Sequence, residues 1–177
     1  MLVFAPSGRD ADLISAALSD VGVSSCVCTT AAQVADELKV GAAAAVISEE
    51  ALGEKEIHRI ASALECQPPW SDLPIIVMTG GGEPNRASRQ LARMRSPLGN
   101  VTLQERPLRA VTLVSTVQSA LRAREKQYEV RDHLAELQSR EQALRRAEGQ
   151  FRHLANAMPQ LAWIADADGK SLWYNEG

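Results

Sequence analysis

The chain has 177 residues, 45% hydrophobic and 23% charged, which excludes a disordered polyelectrolyte and fits one ordinary domain with an appendage or two small ones. Its formal net charge of −3 provides no overall basic field, so neither nucleic acid nor an anionic membrane is expected as a partner. No apolar run approaches the roughly 18–20 residues of a membrane helix, the N-terminus Met1-Leu2-Val3-Phe4-Ala5-Pro6 lacks a basic leader, and a cytoplasmic location is expected.

Residues 2–5 form a fully apolar strand, followed by a helix over 10–21 with Leu13, Ile14, Ala17, Leu18 and Val21 at helical spacing. Gly22 stops that helix. Residues 23–28 are β-branched and thiol-rich, hence a strand, with Cys26 and Cys28 on one face where small thiols are commonly buried. Together with Cys66 they make an odd count with no CxxC and no paired histidine ligands, so neither a metal nor another cofactor is expected. Thr29 or Thr30 caps a helix over 31–39. Residues 42–47 give a strand of small side chains, 54–65 an amphipathic helix, 73–78 the clearest strand, 86–94 a weaker helix and 101–103 a short fifth strand. Five apolar strands alternating with helices predict an α/β domain, a doubly wound five-stranded parallel sheet covered on both faces.

Beyond Leu108 neither Pro nor Gly occurs until Gly149, which predicts a long helix over 109–150. Val130, Leu134, Leu137, Leu144 and Phe151 keep the alternating three-four spacing of a coiled-coil seam, while Val114, Val117 and Leu121 fit a different phase, with a slip near Tyr128. A homodimer through this seam is expected. Glu136 with Arg140 and Glu141 with Arg145 are i,i+4 pairs assigned to the solvent side, and His133 reads as a surface histidine. Residues 151–177 contain a short helix to Met158, then a hairpin: strands over 161–165 and 172–174 joined by Asp166-Ala167-Asp168-Gly169. A helix and one hairpin bury no core of their own, so the chain is expected to be a piece of a longer one.

The strand–helix order of residues 1–108, with Leu73-Pro74-Ile75-Ile76-Val77-Met78-Thr79 as fourth strand and Arg106-Pro107-Leu108 after the fifth, resembles the receiver domain of two-component signalling. Phe151-Arg152-His153-Leu154-Ala155-Asn156-Ala157-Met158-Pro159, with Trp163-Ile164-Ala165-Asp166 and Asp168-Gly169, resembles the start of a PAS domain. Receiver, coiled coil and PAS in that order resemble the N-terminal input region of a sensor histidine kinase. The resemblance implies downstream PAS and kinase domains as partners, although a cyclase output is equally compatible with these residues.

The departures from the receiver pattern carry as much information. Receivers hold Mg²⁺ with acidic residues just after the first strand, because a hard cation takes carboxylate oxygens; Ala5 and Pro6 occupy those places. Where the phosphoacceptor aspartate ends the third strand, this chain has Ser48-Glu49-Glu50. The switch hydroxyl persists as Thr79, and the Lys-Pro of the fifth strand appears as Arg106-Pro107. A pseudo-receiver without catalytic residues is expected. Glu49 or Glu50 then stands where a phosphoaspartate would, near Arg106 and Thr79; the competing reading is a solvated acidic loop. Two rival functions are a genuine phosphoacceptor using Ser48 or a displaced carboxylate, and a small-nucleotide-binding domain. Gly80-Gly81-Gly82 lacks the lysine or glycine spacing that the latter requires.

Overall fold

Strands β1 (Leu2–Phe4), β2 (Cys26–Cys28), β3 (Ala45–Ser48), β4 (Ile75–Thr79) and β5 (Val101–Glu105) pair in parallel in the order β2-β1-β3-β4-β5. The computed structural model describes residues 1–80 and 97–175, divided between two units, Met1–Val130 and Arg131–Gly177. The helix expected over 86–94 lies outside the described residues. This strand order is that of the flavodoxin-like doubly wound fold: the pattern predicts the doubly wound parallel sheet, and the resemblance to a receiver implies this form of it.

Both faces of the sheet are covered, so its strands need no polar alternation. On one face Phe4, Ile47, Ile75 and Val77 pack against Val34 and Leu38 of α2 (Ala31–Val40) and Ile60 of α3 (Glu54–Glu65). On the other, Val3, Val46, Ile76 and Met78 meet Ile14 and Leu18 of α1 (Asp10–Ser19) and Leu113 and Val117 of α4 (Ala110–Asn156). Each fully buried Val, Ile or Leu in these layers contributes roughly 1.5–3 kcal/mol of apolar transfer. The cap of α2 is Thr30: its side chain accepts from Gln33 N–H at 3.2 Å, while Gln33 Oε1 accepts from Thr29 N–H at 2.8 Å. The first bond satisfies an orphan donor of the first turn, and the second ties down the residue before the cap.

Strand β2 begins at Cys26 rather than at residue 23, and lies at the edge of the sheet. For that reason only Cys28 is buried, whereas Cys26 is exposed, contrary to the expectation that both thiols lie inside. Burial, reinforced by the neighbouring Cys26, pushes the Cys28 thiol up to about 11. At pH 8 iodoacetamide is therefore expected to label Cys26 and Cys66 and to spare Cys28 in the native protein. Peptide mapping checks this, and equal labelling of all three would contradict the burial of Cys28.

Helix α4 is one element of 47 residues, about 70 Å long at about 1.5 Å per residue. Gly149 does not divide it, because an exposed glycine costs a helix only about 1 kcal/mol. Its first turns belong to the domain core: Val117 is fully buried and Leu121 packs against the same layer. Those two residues, expected in the dimer seam, are thus occupied by the sheet. The phase slip near Tyr128 has this physical cause, since the stripe above it faces the domain. No helix among the described residues is long and apolar enough to cross a membrane.

In the second unit β6 (Trp163–Ala165) and β7 (Ser171–Tyr174) form the expected antiparallel hairpin. Asp166 Oδ1 accepts from the N–H groups of Asp168 and Lys170, and Gly169 turns at φ 82°. Asn175 is 2% exposed; its amide donates to the carbonyls of Ala155 (3.0 Å) and Gln160 (2.8 Å), and its oxygen accepts from Ala162 N–H at 2.7 Å. Phe151 and Trp173 meet ring to ring at a tilt of 54°, with centroids 5.7 Å apart.

Candidate functional site at the carboxyl edge of the sheet

The parallel register delivers the ends of four strands to one edge. Phe4 pairs with Ile47, Ser48 with Met78 and Thr79 with Glu105. Ala5, Ser48, Glu49, Thr79 and Arg106 therefore follow or close neighbouring strands, and Arg106 N–H donates to the Thr79 carbonyl at 3.0 Å. Crevices beyond the carboxyl ends of strands, where the winding direction changes between β1 and β3, are where doubly wound folds bind ligands.

A single 3₁₀ turn, Glu49–Ala51, swings the two acidic side chains in different directions. Glu50 receives both terminal nitrogens of Arg106, at 3.0 and 3.2 Å. Asp10, at the start of α1, takes a third contact from the same guanidinium at 3.2 Å. Glu49 instead accepts the Gly80 N–H at 3.2 Å. The single guanidinium is thus shared by two carboxylates, and the third carboxylate is held by backbone.

Arg106, Asp10 and Glu50 side chains are 28%, 35% and 46% exposed, so this fork is partly wet and contributes about 1 kcal/mol at most. Its planar two-pronged geometry nevertheless gives the edge a definite arrangement. Thr79 is buried and its hydroxyl donates to the Gln104 carbonyl at 3.4 Å, not to either glutamate. Ser48 is also buried, and its hydroxyl finds no partner among the described residues. Ala5 is buried and Pro6 exposed, and neither offers a ligand oxygen from its side chain. Among the described residues no group of three His, Cys, Asp or Glu is placed to hold a metal ion.

Two features escaped the sequence reading. Asp10 opens the helix predicted over 10–21 and carries no further sequence signal; only the fold shows that α1 aims it at Arg106. The second lies in the loop before β4. Trp70 sits 5.6 Å from the Tyr128 ring, with the Arg124 guanidinium 5.2 Å from the Trp70 centroid and 4.9 Å from that of Tyr128. Beside them, Gln127 accepts Asp72 N–H at 2.9 Å and donates to Asp72 O at 2.8 Å. Gln127 carries no pattern signal, because its partner is backbone.

No family model and no curated protein sequence matches the chain. Solved structures do. NtrX from Brucella abortus, in complex with ATP, superposes with a TM-score of 0.58 at 20% identity over 74% of this chain, which spans only 28% of NtrX. The receiver domain of a putative Luxo repressor from Vibrio parahaemolyticus gives 0.58 at 15% identity, covering 73% of this chain and 94% of that one. A yeast Spc42 trimeric coiled-coil segment fused to another protein gives 0.56 at 21% identity, covering 86% and 96%. The fold of this chain is therefore that of a response-regulator receiver domain, followed by a long helix.

Proposed function

We propose that residues 1–108 are a phosphorylation-incompetent pseudo-receiver, that 109–150 form a homodimeric signalling helix, and that 151–177 begin a PAS domain of a sensor histidine kinase. The observation that carries this reading is the engagement of Arg106 by Glu50 and Asp10. In the receiver pattern that position supplies the cation that meets an incoming phosphoryl group. Here two carboxylates of the chain itself occupy it, so the edge carries the charged contact without phosphate or metal. Ala5 and Pro6 offer no side-chain oxygens for Mg²⁺, and Glu49 is turned to the Gly80 N–H.

Three carboxylates at this edge, two of them on its one guanidinium, also disfavour a nucleotide polyphosphate there by like-charge repulsion. The role of the domain is then structural and regulatory: it fixes the direction in which α4 leaves and biases the paired helices below. The downstream output is read as a kinase.

Incubation of the purified chain with acetyl phosphate and Mg²⁺, followed by intact mass measurement, is expected to show only the unmodified mass. Stoichiometric phosphorylation, mapped to Ser48, Glu49 or any other residue of the edge, would overturn the pseudo-receiver reading and restore the phosphoacceptor one.

A further inference from the structure

Below the domain, α4 presents Val130, Leu134, Leu137, Leu144 and Phe151, all about half exposed or more. Their spacings of four, three, seven and seven residues fix one heptad frame, in which Val130, Leu137, Leu144 and Phe151 share one core position and Leu134 takes the other. Counting on by sevens from Leu134 reaches Glu141 and then Glu148. Both therefore lie on the apolar stripe, not on the solvent side to which the i,i+4 pattern assigned Glu141. Each is tethered by an arginine one turn on: Glu141 to Arg145 and Glu148 to Arg152, both at 2.6 Å.

We propose that Glu141 and Glu148 are acidic layers inside a parallel self-association seam, occupied by a second copy of this chain, and that they keep its lower half weaker than the Val130–Leu134–Leu137 clasp above. The proposal rests on the homodimer reading and extends it. Charge complementarity supports the parallel second copy. In a parallel pair the core position of Glu141 is flanked by residue 140 of the other helix, an arginine that in the isolated chain holds the exposed Glu136 at 2.7 Å. Glu141 then bridges its own Arg145 and Arg140 of the second copy. An antiparallel pair would set the row Arg131, Gln138, Arg145 and Arg152 against its own copy, whereas the parallel pair brings Arg140 against Arg145 of the second copy with the Glu141 carboxylate between them.

The two layers differ in a useful way. At Glu148 the flanking residue of the other helix is Ala147, so no cross-chain cation relieves the carboxylate pair there. Core polar residues of this kind set register at a cost in stability. The seam is thus firm where it begins and loosest at Glu148, next to the ring contact of Phe151 with Trp173.

Sedimentation equilibrium of the full 177-residue chain tests this with Glu141→Leu/Glu148→Leu and, as a control of equal hydrophobicity off the stripe, Glu136→Leu. The double variant is expected to lower the dimer dissociation constant at least tenfold, and the control to leave it unchanged. A shift of the double variant alone to a higher oligomer also supports the assignment, because only residues facing the partner alter its stoichiometry. A dimeric wild type whose affinity responds equally to the control and the double variant would overturn the acidic layers and leave the homodimer standing. Wild type and double variant that are both monomeric at every concentration would overturn the homodimer reading and this proposal with it.

Discussion

Val117→Asp is expected to unfold the N-terminal domain, whereas Leu137→Asp leaves that domain intact and removes self-association. Both residues lie on α4, and both were expected in a single seam. Val117 is 0% exposed, in the layer with Val3, Leu18, Val46 and Ile76. A carboxylate there has no cation within the apolar layer and costs roughly 3–5 kcal/mol. That is a large part of the roughly 5–15 kcal/mol by which a domain of this size is stable. Leu137 is 55% exposed in the single chain, so an aspartate there disturbs nothing inside the domain. Near-UV circular dichroism and urea unfolding report on the domain, and sedimentation equilibrium on the association. A Val117→Asp protein with the wild-type urea midpoint would mean that the start of α4 does not pack on the sheet.

What the sequence made legible follows from how local each signal is. Strands such as Ile75–Thr79 are apolar on both faces and short, so composition alone marks them, and five of them with helices between leave few topologies. The heptad stripe below Val130 is equally local. The edge chemistry was half legible. Arg106, Glu49, Glu50 and Thr79 were found because the resemblance to a receiver marks those strand ends, but which glutamate meets the arginine depends on the 3₁₀ turn at Glu49–Ala51, a single-residue matter of backbone direction. Asp10 was invisible because its relevance lies wholly in the tertiary position of α1. Asn175 was missed for a related reason: its partners at Ala155, Gln160 and Ala162 are backbone groups, and backbone leaves no trace in a side-chain pattern. The continuity of α4 through Gly149 shows the converse error, in which a weak local breaker was weighed above the helix formers on both sides.

The last turns of α4 within the domain are held by contacts of this illegible kind, and their removal has the second largest effect expected. Trp70→Ala takes one ring from the Arg124 guanidinium and leaves Tyr128 as the other, at 4.9 Å. Arg124 is only 4% exposed, so the loss uncovers a buried cation as well as apolar area. For a half-buried tryptophan the cost is roughly 2–3 kcal/mol, of which about 1 kcal/mol is the cation–π contact. Gln127→Ala removes the two hydrogen bonds to the Asp72 backbone, whose groups then turn to water, and the one that Gln127 Oε1 accepts from the Arg124 guanidinium at 2.6 Å, and costs about 1–3 kcal/mol. Because these contacts lie at the end of the domain-facing stretch, the loss appears first as local opening. Amides of residues 121–130 are expected to exchange tenfold or more faster in Trp70→Ala, with those of β3 and β4 following only by the global change in stability. Trp70→Phe, which keeps an aromatic face, is expected to retain most of the protection. If exchange over 121–130 stays at the wild-type rate in both Trp70→Ala and Gln127→Ala, the loop before β4 does not hold α4, and the direction in which the helix leaves the domain is set by the Leu113 and Val117 layer alone.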